Sequence, residues 1–305
     1  MKALLVGGAG YIGYSLTKQI LEGDNPITEL VIYDNLSRNN YGFFTYDKFK
    51  GKPIQFIKGE LLDSRKLKQS LQGVDVVIHL AAKVTTPYAD SDSHFFDQIN
   101  HWGTATLANA VEESEVKHFI HLSSMSVYGS SDTPVDENHE PAPESFYGIS
   151  KLQAEEQVTR LKNQMNVHIL RSANVYGYNP TMRIDAVFNR FMFEANFNNR
   201  VTIHGNGEQS RTFIHVEKLA YIIECFLKQN IPLGIYNIVE HNLSVNDVVA
   251  QIQEFYPDLE TLYVSRNMRM RQIQAITPCK IFDHIELPHK NMQEEIEDFK
   301  RSFAF

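Results

Sequence analysis

An α/β fold on a doubly wound parallel sheet is predicted by three observations. Short apolar or β-branched runs alternate with helix-like stretches through the first half of the chain; a glycine string joins the first run to the first helical stretch; and an aspartate closes the second run. Together they describe a Rossmann-type domain, whose ligand lies outside the carboxyl ends of the strands. After Arg171 the rhythm breaks into longer polar loops, which predicts a smaller, discontinuous C-terminal substrate-binding lobe.

Strands are expected at residues 3–6, 29–33, 54–58, 74–79, 118–122 and 167–171. Helical periodicity is clearest over 14–21, 64–71, 100–113 and 147–163. Polar loops follow at 177–181 and 205–210, and then a strand over 211–216 and a helix over 217–228, expected to rejoin the first domain. The first domain then comprises 1–171 with about 211–235, and the lobe about 172–210 and 236–305. No internal repeat or low-complexity tract interrupts this plan.

Composition narrows the class. The 305 residues are 43% hydrophobic and 22% charged, ordinary globular material able to bury a core without staples. Cys225 and Cys279 stand far apart without a histidine cluster, so neither a disulfide framework nor a metal site is expected, and a reducing, cytoplasmic setting suits them. The chain enters a strand pattern at Ala3 without a secretory signal, and its longest apolar runs fall short of the roughly 20 residues a membrane span needs. With a net charge of −8, nucleic acid is a poor partner; the stretch Arg266, Arg269 and Arg271 reads as an anion site or as a solvated loop face.

The first strand runs into Gly7-Gly8-Ala9-Gly10-Tyr11-Ile12-Gly13, glycines where a backbone must turn sharply and approach a pyrophosphate at a helix N-terminus. Tyr33-Asp34 ends the second strand, where a carboxylate accepts hydrogen bonds from ribose hydroxyls; a 2′-phosphate beside it would meet repulsion of roughly 1–4 kcal/mol at about 4 Å. Asp34 therefore favours NAD over NADP, although Arg38 would soften the repulsion. Tyr147 and Lys151 are four apart on one helix face, so the ammonium is expected close to the phenol and lowers its pKa toward that of a general base. Such pairs also arise by chance. Ser124, at the end of the fifth strand, either hydrogen-bonds a substrate oxygen or caps the next turn.

These motifs, in order, resemble the extended short-chain dehydrogenase/reductase superfamily, in particular its NAD-dependent, UDP-glucose 4-epimerase-like nucleotide-sugar epimerase/dehydratase branch. The match covers nearly the whole chain: the glycine loop, Tyr33-Asp34-Asn35-Leu36-Ser37, His79-Leu80-Ala81-Ala82-Lys83, 100–104, Ser123-Ser124, Tyr147 with Lys151, and 171–177. The resemblance implies Tyr147 as catalytic base or acid, Lys151 on the nicotinamide ribose, and Ser124 steadying the reacting oxygen. It implies cofactor contacts from Gly7, Gly10, Tyr11, Ile12, Gly13, Asp34, Asn35, Ser37, Glu60, Leu61, Leu80, Ala81, Ala82, Lys83 and Ser123, with Glu60 replacing the usual aspartate. Substrate contacts are implied for Lys83, Ser124, Asn174, His204, Arg211 and Arg269; Thr212 stands where an aspartate usually follows the arginine. The tail, 287–303, resembles the family's closing amphipathic helix, with Met292, Ile296, Phe299 and Phe303 on one face.

Dehydratases and decarboxylases of this superfamily carry an acid just before Val-Tyr-Gly, whereas this chain has Met125 and Ser126. The resemblance thus implies an epimerase acting on a nucleotide-diphosphate sugar by reversible hydride transfer at a sugar carbon. The alternatives are an NAD(P)H-dependent reductase or dehydrogenase of a keto nucleotide sugar, and a noncatalytic NAD-binding sensor or scaffold. A homodimer built from the helices at 100–113 and 150–163 is also implied.

Overall fold

The computed structural model of the chain describes residues 1–45, 52–84, 93–265 and 271–303. The first half runs β1 Lys2–Val6, α1 Tyr11–Glu22, β2 Glu29–Asp34, β3 Ile54–Lys58, α2 Ser64–Ser70, β4 Val76–His79, α3 Ser93–Phe96, α4 Gly103–Glu112, β5 His118–Ser124, α5 Phe146–Thr159 and β6 Asn166–Ser172. The second half adds β7 Asn174–Tyr176, α6 Val187–Asn198, β8 Arg200–His204, β9 Ser210–His215, α7 Val216–Lys228, β10 Gly234–Ile238, β11 His241–Ser244, α8 Val245–Gln253, β12 Glu260–Val264 and α9 Met292–Arg301.

Seven strands form one parallel sheet in the order β10-β6-β5-β4-β1-β2-β3. The winding reverses at β1, whose neighbours are β2 and β4, and Val6 is in register with Tyr33 and His79. The crevice of such a sheet opens at that reversal, outside the carboxyl ends. Side chains alternate across each strand, so both faces need cover. Ala3 and Leu5 meet Leu16 and Ile20 of α1 and Leu219 and Ile223 of α7, whereas Leu4 and Val6 share the opposite core with Leu107 and Val111 of α4 and Val158 of α5. A third core, with Phe188, Phe213, Val248, Ile252, Ile296 and Phe299, belongs to the lobe.

Two expectations are corrected. The strand predicted over 211–216 does not rejoin the large sheet: Ser210–His215 pairs with β7 and β11 in a three-stranded sheet. Its apolar residues divide between two cores, Phe213 to the lobe and Ile214 to the main sheet, which mimics the two-sided burial of a central parallel strand. Only the helix after it returns, where buried Glu224 of α7 accepts hydrogen bonds of 2.8 Å from Gln19 and Asn25. The second correction is the seventh strand, Gly234–Ile238, beside β6. The expected helix at 100–113 also begins differently, as a π-helical turn, Asp97–Trp102, ahead of α4.

The tail is closed by α9, whose start carries a reciprocal capping box: Asn291 Oδ1 accepts from the Glu294 N–H at 3.0 Å and Glu294 Oε2 from the Asn291 N–H at 2.9 Å. Among the described residues no helix is long and apolar enough to cross a membrane.

Candidate active site

Gly7 sits at φ +83°, and a Cβ there would lie 2.5 Å from the Ala81 nitrogen. A Cβ on Gly13 would lie 2.4 Å from the Gly8 carbonyl oxygen, so the loop and the start of α1 lock backbone to backbone. Gly10 is the N-cap of α1 and offers no side-chain acceptor to the first-turn N–H groups. That cradle, with its uncapped helix end carrying Tyr11, Ile12 and Gly13, fits a pyrophosphate. The Leu80 and Ala81 N–H groups both donate to the Val6 carbonyl, at 2.8 and 2.9 Å, which folds 80–83 across the end of β1.

Asp34 stands at the end of β2 as expected. Its Oδ1 accepts from the Leu36 N–H at 2.7 Å and its Oδ2 from the Ala9 N–H at 3.1 Å, leaving lone pairs on each oxygen for ribose hydroxyls. Burial nevertheless raises its pKa above the usual carboxylate value. Nearby, Asn35 Nδ2 donates to Glu60 Oε2 at 2.9 Å, its Oδ1 accepts from the Ser37 N–H at 2.9 Å, and Leu61 is buried.

Ser145 caps α5 by accepting from the Gly148 N–H at 3.0 Å, and places Tyr147 in the first turn. Of its two readings Ser124 shows the cap, its Oγ accepting from the Ser126 N–H at 3.1 Å after β5, and its hydroxyl also hydrogen-bonds that of Tyr147. Burial raises the phenol's pKa; Ser124 and the positive charge of Arg183 lower it. The ammonium of Lys151 donates instead to the Leu122 carbonyl at 2.7 Å, and burial draws its pKa down to about 8 against the pull of Glu155. The positive charge of Arg183, in the loop ahead of α6, therefore joins Ser124 in favouring the phenolate.

The exposed Lys83 is fastened through its backbone. Its N–H donates to Asn100 Oδ1 at 2.7 Å, and Asn100 Nδ2 donates to the Lys83 carbonyl and to Ser150 Oγ, both at 2.9 Å. Under the site, Ser123 turns its hydroxyl inward to Glu155 Oε1, at 2.5 Å, and Arg171 holds both oxygens of that carboxylate, at 3.0 and 2.7 Å. Arg171 Nη1 also donates to the Tyr128 hydroxyl, which donates to Asn237 Oδ1 of β10, each at 2.8 Å.

The loop 177–181 clasps the glycine loop. Tyr11 donates its hydroxyl to the Gly177 carbonyl, Asn179 Nδ2 donates to the Tyr11 carbonyl at 2.9 Å, and Thr181 Oγ1 to the Gly10 carbonyl at 3.3 Å. Asp185 then pairs with Arg183 at 2.7 Å and Arg38 at 3.3 Å.

Toward the lobe, Asn174 Nδ2 donates to the Thr212 carbonyl at 3.0 Å, tying β7 to β9, and exposed His204 ends β8. Among the described residues no hydrogen bond or ion pair holds the Arg211 guanidinium, and burial with neighbouring Arg271 lowers its pKa. Arg269 lies outside the described residues. The sequence alone missed Arg183, Asp185 and Glu155; of these only Glu155 had a local signal, its spacing of four from Lys151.

The model of the NAD dependent epimerase/dehydratase family matches residues 3–238. A human dTDP-D-glucose 4,6-dehydratase is 31% identical over 78% of this chain and 68% of its own length. A Bacillus subtilis (strain 168) protein described as an uncharacterized UDP-glucose epimerase is 30% identical over 87% of this chain and 85% of its own. A solved structure of UDP-glucuronic acid 4-epimerase from Bacillus cereus, in complex with UDP-glucuronic acid and NAD, superposes with a TM-score of 0.86 at 25% identity, covering 99% of both chains.

Proposed function

Because the chain belongs to the NAD dependent epimerase/dehydratase family, we propose that it is an NAD-dependent nucleotide-sugar epimerase with Tyr147 as base and acid. The observation that carries this reading is the Tyr147 phenol in contact with Ser124 at the carboxyl edge of the sheet, without an acid at the two positions after Ser124. There, Met125 is buried in the core and Ser126 Oγ accepts from Ser124 at 3.1 Å. Eliminating water needs an additional proton donor at the sugar, and neither side chain supplies one.

NAD, when bound, supplies the hydride acceptor and donor. The chain's residues do the rest. Gly7, Gly10, Tyr11, Ile12 and Gly13 hold the pyrophosphate by backbone; Asp34 holds the ribose; Asn35, Ser37, Glu60 and Leu61 line the adenine end; 80–83 complete the wall, to which Ser123, its hydroxyl turned inward to Glu155, adds only backbone. Tyr147 takes the proton of a sugar hydroxyl and returns it, Ser124 steadies the reacting oxygen, and Lys151 orients the nicotinamide ribose. Lys83 stands toward the sugar. Arg211 with Arg271 receives the diphosphate, whose charge relieves the repulsion between them. Asn174 and His204 belong to the same substrate wall. A homodimer forms through the helices at 100–113 and 150–163, near which Trp102 and Ile149 are exposed; sedimentation at several concentrations tests it.

The deciding experiment incubates purified protein and NAD with a panel of UDP- and dTDP-sugars. Interconversion of a pair of epimers with no net change in reduced cofactor is expected, and Tyr147→Phe should lower the rate by about 10²–10⁴. Loss of water from the sugar, stoichiometric consumption of reduced cofactor, or no turnover at all would each reject the epimerase.

A further inference from the structure

Lys151 and Glu155 stand one turn apart on the inner face of α5, both buried. The elements around the ammonium supply little to balance it. On β4 and β5, His79 and His121 are buried and neutral: burial draws His79 to about 3 and His121 well below its ordinary value, and the charge of Lys151 pushes both the same way. On β5 the Leu122 carbonyl accepts from Nζ at 2.7 Å. On β6 the charge of Arg171 is paired with Glu155 at 2.7 Å. On α5 itself burial raises the pKa of Tyr147, against the Ser124 hydrogen bond and the Arg183 charge. Among the described residues the carboxylate that acts on the ammonium is Glu155.

We propose that Glu155 is a positioning residue of the redox site: clamped by Arg171 and Ser123, its carboxylate keeps the Lys151 ammonium charged and fixes the strand end that presents Ser124. The proposal rests on the roles given above to Tyr147, Lys151 and Ser124. Three hydrogen bonds, at 2.5, 3.0 and 2.7 Å, leave the carboxylate no freedom to rotate. Its donors come from β5 and β6, and Arg171 is anchored in turn through Tyr128 to Asn237 of β10. The pair is therefore a fixed dipole whose negative end is i+4 to Lys151. Ser123, the residue before Ser124, hangs from the same oxygen as the Arg171 Nε, so one carboxylate sets both the charge and the direction of the site.

Glu155→Gln removes the charge and keeps the shape. In the wild type the turnover rate should fall as pH rises through about 8, where Lys151 loses its proton. In the variant the fall should begin about one pH unit lower, a tenfold change in the fraction charged at a given pH. Should Glu155→Gln fail to fold because Arg171 is left unpaired, the double variant Glu155→Gln/Arg171→Met, which removes both ends of the dipole, should move the midpoint in the same direction by less. The Lys151 midpoint is also read without turnover, by NMR of isotope-labelled lysine assigned with Lys151→Arg. A midpoint unmoved in a folded variant overturns the proposal. If the midpoint moves in a protein that turns over no nucleotide sugar, the epimerase reading falls and the assignment of Glu155 to Lys151 stands; if Tyr147→Phe abolishes turnover and the midpoint stays, the reverse holds.

Discussion

Tyr147 meets influences of opposite sign: burial holds its proton on, while the Ser124 hydroxyl and the Arg183 charge help it leave. Replacing Arg183 by Gln removes one of the two lowering influences, so the phenol's pKa climbs. The step that needs the phenolate should then reach its plateau at higher pH, seen as a displaced acid limb in the pH profile of kcat. Gly7 is set by two independent constraints, its φ of +83° and the Ala81 nitrogen 2.5 Å from where a Cβ would stand. Gly7→Ala should cost about 1–3 kcal/mol of stability by urea denaturation and abolish NAD binding in a fluorescence titration. At this scale the motif residues were legible in the sequence, because a glycine's role lies in its own backbone and the aspartate's in its place at the end of a strand. Arg183 was not: it stands 36 positions from Tyr147 in a loop with no periodicity, and only the folding of the lobe over α1 gives its charge an effect on the phenol.

The elements show how local chemistry places the site. α5 starts where Ser145 caps it, and the first turn carries Tyr147, so Ser145→Ala should cost about 1 kcal/mol in urea denaturation and loosen the tyrosine, lowering kcat more than it raises KM. α9 is held by Ile296 and Phe299 in the lobe core, and Ile296→Ala should destabilise by about 2–5 kcal/mol in the same measurement. Helices α1, α2, α4, α5 and α7 and six of the large sheet's strands follow from apolar periodicity, which is a property of neighbouring residues, whereas α3, α6 and α8 were not expected. β9 misled because periodicity reports that a strand is buried on both sides, not by which cores. β10, only five residues long, is a strand because β6 offers it a parallel edge, an environment no local pattern contains.

Across the molecule, burial keeps several histidines neutral. The pKa of His79 and of His215 is drawn down to about 3 and that of His118 to about 4. The unfolded chain binds these protons near its ordinary value of about 6.5, so the stability they contribute is present above that pH and is lost as pH falls toward their folded values. Each adds a slope of about 1.4 kcal/mol per pH unit in that window, and urea midpoints should drop steeply between pH 6.5 and 4. His79→Gln should flatten the slope by one proton; an unchanged slope would mean that His79 is already protonated in the folded protein. The same distinction separates what the sequence determined by itself from what the tertiary structure decided. Strand and helix periodicity, the glycine turn, the aspartate at the end of β2 and the i,i+4 pair on α5 were in the sequence, since each depends on residues within a few positions of one another. The carboxylate behind Lys151 being clamped by β5 and β6, Arg183 acting on Tyr147, Arg211 lying beside Arg271 and the seventh strand were decided only by folding. Their energies are set by distance and burial, and segments far apart in the chain acquire those only when they pack.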